Sequence, residues 1–183
     1  MKSKSDKELI ELCLKEKAQA QHALYQRYAG KMFGVCFRYA KNAEDAKDIL
    51  QEAFIRVFNY LKDFKHEGSF EGWIRRITVN CAIRYYENNL RRLDSGDWDQ
   101  HPEVSVEASV LDQMSAEEIV SVINQLPDGY RIVFNLYAIE GFSHKEIAQE
   151  LNIGESASRS QLARARAQLV GLLEPGTKKS VAC

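Results

Sequence analysis

Apolar residues recur along this chain at spacings of three and four, the period of a helix with one buried face. No stretch alternates apolar and polar positions over a strand's length. Ser5 with Glu8 is a capping box, and it opens a first helix whose apolar side is Leu9, Ile10, Leu12 and Cys13. Leu24, Tyr28, Met32 and Val35 stripe a second helix, predicted from Ala18 to about Tyr39. Asn42 starts a third, running to about Leu61, with Ala46, Ile49, Leu50, Ala53, Val57 and Leu61 inside. A loop from Lys62 to Gly68 leads to Ser69, which caps a fourth helix ending near Arg92, with Trp73, Ile74, Ile77 and Cys81 facing inward.

The helical pattern then stops. Residues 94–112 have no periodicity and carry Ser, Gly, Pro and a run of acids, the composition of a linker. Ser115 and Glu118 form another capping box, and Pro127-Asp128-Gly129 ends the helix they open. Tyr130 to Ile139 is the next helix, stopped at Gly141. Ser143 and Glu146 cap another, with Ile147, Ala148 and Leu151 on one face. Asn152-Ile153-Gly154 breaks it, since Asn and Gly tolerate a left-handed turn. A last helix starts near Ser156 and buries Leu162 and Leu169. The expected fold is all-α. A four-helix domain spans 1–92, an acidic linker 93–113, and a four-helix domain 114–173, followed by a polar, disordered tail over 174–183.

The last two helices have helix-turn-helix spacing, and the second of such a pair fits the major groove of duplex DNA. Its expected exposed positions are Ser158, Arg159, Ser160, Gln161, Arg164 and Arg166, donors suited to phosphates and base edges. Ser143, Lys145 and Ser156 at the two helix starts complete the candidate duplex-binding set. The bland alternative is a helical hairpin with a solvated basic face.

Charge sharpens this picture. The net charge of −1 hides an uneven distribution. Residues 1–90 hold 16 basic against 12 acidic side chains, residues 91–113 hold 2 against 6, and residues 155–183 hold 5 against 2. A basic recognition helix and an acidic connector cancel in the total. Cys13, Cys36, Cys81 and Cys183 are too far apart in sequence for a metal knuckle, and no histidine pair has zinc spacing. No metal or cofactor is expected. The charged N-terminus is not a signal peptide, and no apolar run approaches the ~18 residues of a membrane span. The composition fits a reduced, cytoplasmic protein. Clustered carboxylates, a Cys–His pair or a Gly-rich phosphate loop would mark an enzyme, and none is present.

Two stretches of the first domain offer more than core. Asp45, Asp48 and Glu52 share a face of the third helix, beside Gln51 and Arg56; residues alone admit a solvated face or a docking surface. Arg76, Asn80 and Arg84 recur at every fourth position of the fourth helix, next to Phe64, His66 and Phe70. Cations that track a backbone, with rings that hold unstacked bases, suit single-stranded DNA. An aromatic core cluster with exposed arginines explains the same spacing.

The segments EDAKDILQEAFIRVF, SFEGWIRRITVN, LPDGYRIVFNLYAIEGFSHKEIAQELNI and SQLARARAQL occur in that order, the third set off by the linker. Together they resemble the two-domain bacterial sigma factors of the extracytoplasmic-function group, over residues 5 to about 173. The resemblance implies a first domain that docks on the clamp of the largest subunit of RNA polymerase and holds the melted minus-ten promoter element. It implies a second domain that reads the duplex minus-thirty-five element. It assigns Asp45, Asp48, Gln51, Glu52 and Arg56 to the clamp. It assigns the loop before Ser69, with His66, Phe70, Trp73, Arg76, Asn80 and Arg84, to melted DNA. Arg159, Ser160, Gln161 and Arg164 go to the duplex. A cognate anti-sigma factor, often membrane-bound, is an implied partner, and the linker is implied to thread into polymerase. Asn152, Ala157 and Ser158 depart from the Gly, Thr and Val common there, and Arg84 and Glu87 from a common Asp and a basic residue. Promoter letters typical of the family are therefore not carried over. The rival reading is a helix-turn-helix regulator that is not a sigma subunit. It calls for a sensor domain, and the first ninety residues show no βα alternation.

Overall fold

The computed structural model describes residues 4–90 and 116–173. The linker, the Ser115 cap and the tail lie outside the described residues. All regular structure among the described residues is helical. The chain divides into two compact units, 1–88 and 89–183.

In the first unit, α1 is Asp6–Leu14, α2 Ala18–Phe37, α3 Ala43–Asn59 and α4 Phe70–Leu90, with a 3-10 turn at Leu61–Asp63. Local chemistry sets the starts. Ser5 and Glu8 form the reciprocal capping box before α1. The Asn42 side chain accepts from the Asp45 amide at α3, and Ser69 Oγ accepts from the Gly72 amide at α4. Gly72 has a steric reason to lack a side chain: a Cβ there would stand 2.9 Å from that capping oxygen.

Leu9, Leu24, Met32, Val57 and Ile74 are nearly or fully buried and form the centre of this unit. The α3 stripe is buried as the pattern predicts, with Phe54 added. Asp6 fastens α1 to α2, accepting from Arg27 Nη1 at 2.6 Å and Tyr28 Oη at 2.7 Å. Lys31 on α2 and Glu71 on α4 pair at 2.6 Å. Only Ile74 and Cys81 of the four expected inward positions of α4 are fully buried; Trp73 and Ile77 are half-exposed. Phe70, Thr78, Val79, Ala82, Ile83 and Tyr86 are buried instead, so α4 packs on more than one side.

In the second unit, α5 is Ala116–Ile123, α6 Asp128–Phe134, α7 His144–Glu150 and α8 Glu155–Leu173. Pro127 stands at the N-cap of α6, so Asp128 and Gly129 begin a helix as well as follow one. A π-helical turn, Asn135–Ile139, extends α6, and the Glu140 amide bonds to the Asn135 carbonyl. Gly141 then takes φ +77, the left-handed backbone that ends the helix. Ser143 and Glu146 form the predicted capping box, and Asn152 makes the turn with φ 51. Ile123, Leu126, Ala165 and Leu169 form one buried cluster, with Tyr130 and Phe134 against it.

Candidate nucleic-acid interfaces

Trp73, Ile77, Asn80 and Arg84 recur at intervals of four, three and four along α4, so they line one helical face. They form one wall of an open cleft of ≈ 340 Å³. Arg56 and Tyr60 supply the other wall, with Asp63 from the turn between. Asn80, Arg84 and Tyr60 are exposed, Tyr60 at 51%. Arg76 is also exposed but does not line the cleft.

Aromatic packing behind the cleft fixes its wall. Trp73 stacks on Phe70, with centroids 5.7 Å apart and planes 16° off parallel. Phe64 lies 5.4 Å from Trp73 and 5.0 Å from Phe70. His66, exposed on a left-handed backbone at φ 58, rests its ring 4.8 Å from Phe64. Phe70 corrects an expectation. It is only 6% exposed, because at the first turn of α4 its ring meets Tyr28 on α2, 5.6 Å away. Its ring is enclosed and packs against Trp73 rather than lying open to solvent. Cys81 forms part of the cleft floor, where burial raises its thiol pKa.

A second cleft of ≈ 220 Å³ continues the groove between α3 and α4. Asp48 and Glu52 line it from α3, and Tyr85 and Asn88 from α4. Arg56 and Arg84 line both clefts. Of the five α3 residues expected at a docking face, Asp48, Gln51 and Glu52 are exposed. Asp45 is half-buried and takes part in the helix cap, accepting from Asn42 Nδ2 at 3.1 Å. Arg56 Nε donates to Glu52 Oε1 at 2.6 Å, a bond that raises the arginine's pKa. Ile55 stands half-exposed at 50% between them.

The recognition helix shows a narrower polar face than its sequence suggests. Arg159 and Arg166 are exposed, and Ser160 is half-buried. Ser158 is 0% and Gln161 3% exposed, a correction to both as surface residues. The reason is packing: α5, α6 and α7 all abut α8, so its buried side is wider than one stripe. Arg164 is half-buried and turns toward α6, with Nη1 3.4 Å from Tyr130 Oη. Arg159 pairs with Glu155 at 2.6 Å. Lys145 and Ser156 are exposed at the two helix starts, while the Ser143 hydroxyl is engaged by Glu146.

Sequence reasoning missed Tyr60, Asp63 and His144. The first two join the cleft from outside α4. His144 bridges α7 to Ser158, and only its place beside a helix cap pointed to it.

The sigma-70 region 2 family model matches residues 24–92, and the region 4 model matches residues 116–169. These spans hold the cleft and the helix-turn-helix respectively. The chain belongs to the extracytoplasmic-function group of RNA polymerase sigma factors. This sigma factor is 31% identical over 151 residues to the ECF sigma factor SigE of Mycolicibacterium smegmatis, covering 80% of this chain and 58% of that relative. It therefore spans little more than half of that protein's length. It is 29% identical over 183 residues to the ECF sigma-E factor of Escherichia coli K12, covering 93% of this chain and 95% of the relative. The Bartonella quintana sigma factor RpoE, solved in complex with the anti-sigma factor NepR, shares the fold. The TM-score is 0.51 at 16% identity, covering 83% of this chain and 95% of the other. No described helix of the sigma factor is long and apolar enough to cross a membrane. Among the described residues, no three His, Cys, Asp or Glu are grouped to hold a metal ion.

Proposed function

We propose that this sigma factor recruits core RNA polymerase to promoters by dividing recognition between its two units. The first, residues 1–92, docks on polymerase and holds melted DNA; the second, residues 114–173, reads the upstream duplex. The observation that carries this reading is the cleft beside α4, where a supported indole, an exposed amide, a phenol and two guanidiniums meet. Rings take unstacked bases, an amide pairs with a base edge, and arginines follow the phosphates. Trp73 and Tyr60 are the stacking walls, Asn80 is the base-reading amide, and Arg56, Arg84 and Arg76 serve the backbone. His66 is offered from the exposed loop beside Phe64, and Phe70 acts behind the cleft.

On the second unit, Arg159 is the candidate for base edges, with Ser160 beside it. Arg166, Lys145 and Ser156 are placed for phosphates. Arg164, Gln161, Ser158 and Ser143 shape the helix pair from behind. On α3, Asp48, Gln51 and Glu52, with Ile55 among them, form the polymerase-docking face, and the acids call for a basic partner surface. The relative solved with an anti-sigma factor supports a similar inhibitory partner for this chain, and its working compartment is the cytoplasm.

The full chain should be retained by immobilised core polymerase. Reversing the charges of Asp48 and Glu52 together should lower that retention about tenfold, without unfolding the domain. Unchanged retention would remove the docking assignment.

A further inference from the structure

His144 and Ser158 are joined where α7 crosses α8. His144 Nδ1 and Ser158 Oγ stand 2.9 Å apart. Ser158 is 0% exposed, so its hydroxyl has no solvent to turn to. The imidazole lies stacked on Tyr137 from the π-helical turn, with centroids 4.5 Å apart and planes 24° off parallel. The Arg166 guanidinium also lies over the Tyr137 ring, 5.8 Å from its centre. One half-buried ring thus ties three elements together: the π turn, the first helix of the pair and the recognition helix. Ser158 sits next to Arg159 and two residues from Ser160, the side chains offered to the duplex.

We propose that His144 and Ser158 are positioning residues for duplex recognition: the neutral imidazole, seated on Tyr137, fixes the angle of α8 through the Ser158 hydroxyl, so that discrimination between duplex sequences follows the protonation of this ring. The inference rests on the reading of α8 as the duplex-binding helix.

The chemistry gives the direction. A neutral imidazole has one nitrogen that accepts and one that donates, whereas the protonated ring only donates. Protonation leaves Nδ1 able only to donate, so a Ser158 hydroxyl that donates to it must give up that bond or turn to accept within a joint closed to solvent. It also adds a positive charge to a half-buried position near two others. Burial first, then Arg159 and Arg166 on α8, hold His144 below its ordinary 6.5, and Glu155 alone pushes the other way. Tyr137 faces the ring from the π turn. The ring is accordingly neutral in the working protein. It charges as the medium acidifies through a value below 6.5, and like-charge repulsion from the two arginines then opens the joint.

A general gain of positive charge strengthens binding to every DNA sequence alike. The informative quantity is therefore the ratio of affinities for a selected duplex and its scrambled counterpart. The full chain assembled with core polymerase is the protein to use. The probe is the duplex segment of a promoter selected from a random pool at about pH 7.5, and a core-polymerase effect of pH cancels in the ratio. His144→Phe keeps the stacked ring and removes the hydrogen bond, stranding a buried hydroxyl. It should lower the ratio about fivefold at about pH 7.5. Ser158→Ala, which removes the hydroxyl, should move it the same way with less disturbance. His144→Asn places an amide where Nδ1 stands but does not titrate. It should keep the ratio within about twofold of the parent at about pH 7.5 and hold it flat on acidification through the range, below 6.5, in which the parent's ratio falls.

A His144→Phe protein that discriminates as well as the parent would overturn the proposal. So would a His144→Asn protein that reproduces the parent's loss on acidification. A parent chain without any discrimination at about pH 7.5 would overturn the duplex-reading assignment as well, which separates the two failures.

Discussion

α4 in the first unit and α8 in the second are close in length, 21 and 19 residues, yet they present polar groups to their surroundings differently. On α4 the polar positions keep a continuous line. Asn80 and Arg84 stand on the same face as Trp73 and open into one cleft, with a buried aromatic cluster behind. On α8 the line is broken. Ser158 and Gln161 turn inward, Arg164 turns toward α6, and Arg159 and Arg166 stay outside. Three short helices pack around α8, and each claims part of its circumference. The lesson is that a helix forming the centre of a small unit has few positions to spare for a ligand. On the proposed reading, the first unit would hold its ligand in a cavity between elements and the second on a narrow ridge.

The largest effect expected from this contrast lies behind the cleft. Phe70→Ala should cost the first unit about 3 kcal/mol of stability, because it removes a buried ring shared by Tyr28, Phe64 and Trp73. Denaturant unfolding measures it. A loss below about 1 kcal/mol, with melted-strand binding abolished, would restore Phe70 as a contact residue and break the comparison.

Next comes the ridge. Arg159→Ala should weaken use of a selected promoter through its duplex element by ~2 kcal/mol if the contact is a bidentate one to a base. Gln161→Leu, at a buried position, should leave base preference unchanged. Selection from a randomised duplex library with each variant is the measurement. A changed preference with Gln161→Leu and none with Arg159→Ala would reverse the assignment.

A smaller change is expected at the cleft's amide. Asn80→Ala should shift the preferred base at one position of the melted element by about 1 kcal/mol and leave other positions alone. Identical preferences from a melted-strand library would reduce Asn80 to a packing residue.

The smallest effect concerns the tie between α1 and α2. Burial works to raise the Asp6 pKa, but hydrogen bonds from Tyr28 and Arg27 prevail and hold it below its ordinary 3.8. The folded state therefore binds this proton less readily than the unfolded chain. The tie's contribution is complete above 3.8 and is lost as pH falls through the folded value. Asp6→Asn should lower the melting temperature slightly near neutrality, and the gap to the parent should close in acid. A gap that stays constant down to about pH 2 would contradict this origin.

Much of this molecule was legible in the sequence where its cause is local. Ser5, Asn42, Ser69 and Ser143 mark helix starts because a cap needs only the next three residues. The α3 stripe from Ala46 to Val57 was legible because one face of that helix meets the core. The faces of α8 were not, since burial of Ser158 and Gln161 depends on which helices cross it. The π turn at Asn135–Ile139 carries no local signal that helical periodicity could show. The cleft was half legible: Trp73, Asn80 and Arg84 share a helix, whereas Tyr60 and Asp63 arrive from another part of the chain. The His144–Ser158 bond joins residues 14 apart across the turn, and no spacing rule anticipates it.

Run-off transcription with purified core polymerase decides whether the chain directs initiation by itself. Templates would come from a promoter pool enriched by the full chain, with core enzyme and chain as the only proteins present. Transcripts from one start site are expected on templates carrying both selected elements. Scrambling either the melted or the duplex element should reduce them, and omitting the chain should abolish them. Transcripts that appear only when another sigma factor is added would contradict the account and make the chain a DNA-binding regulator.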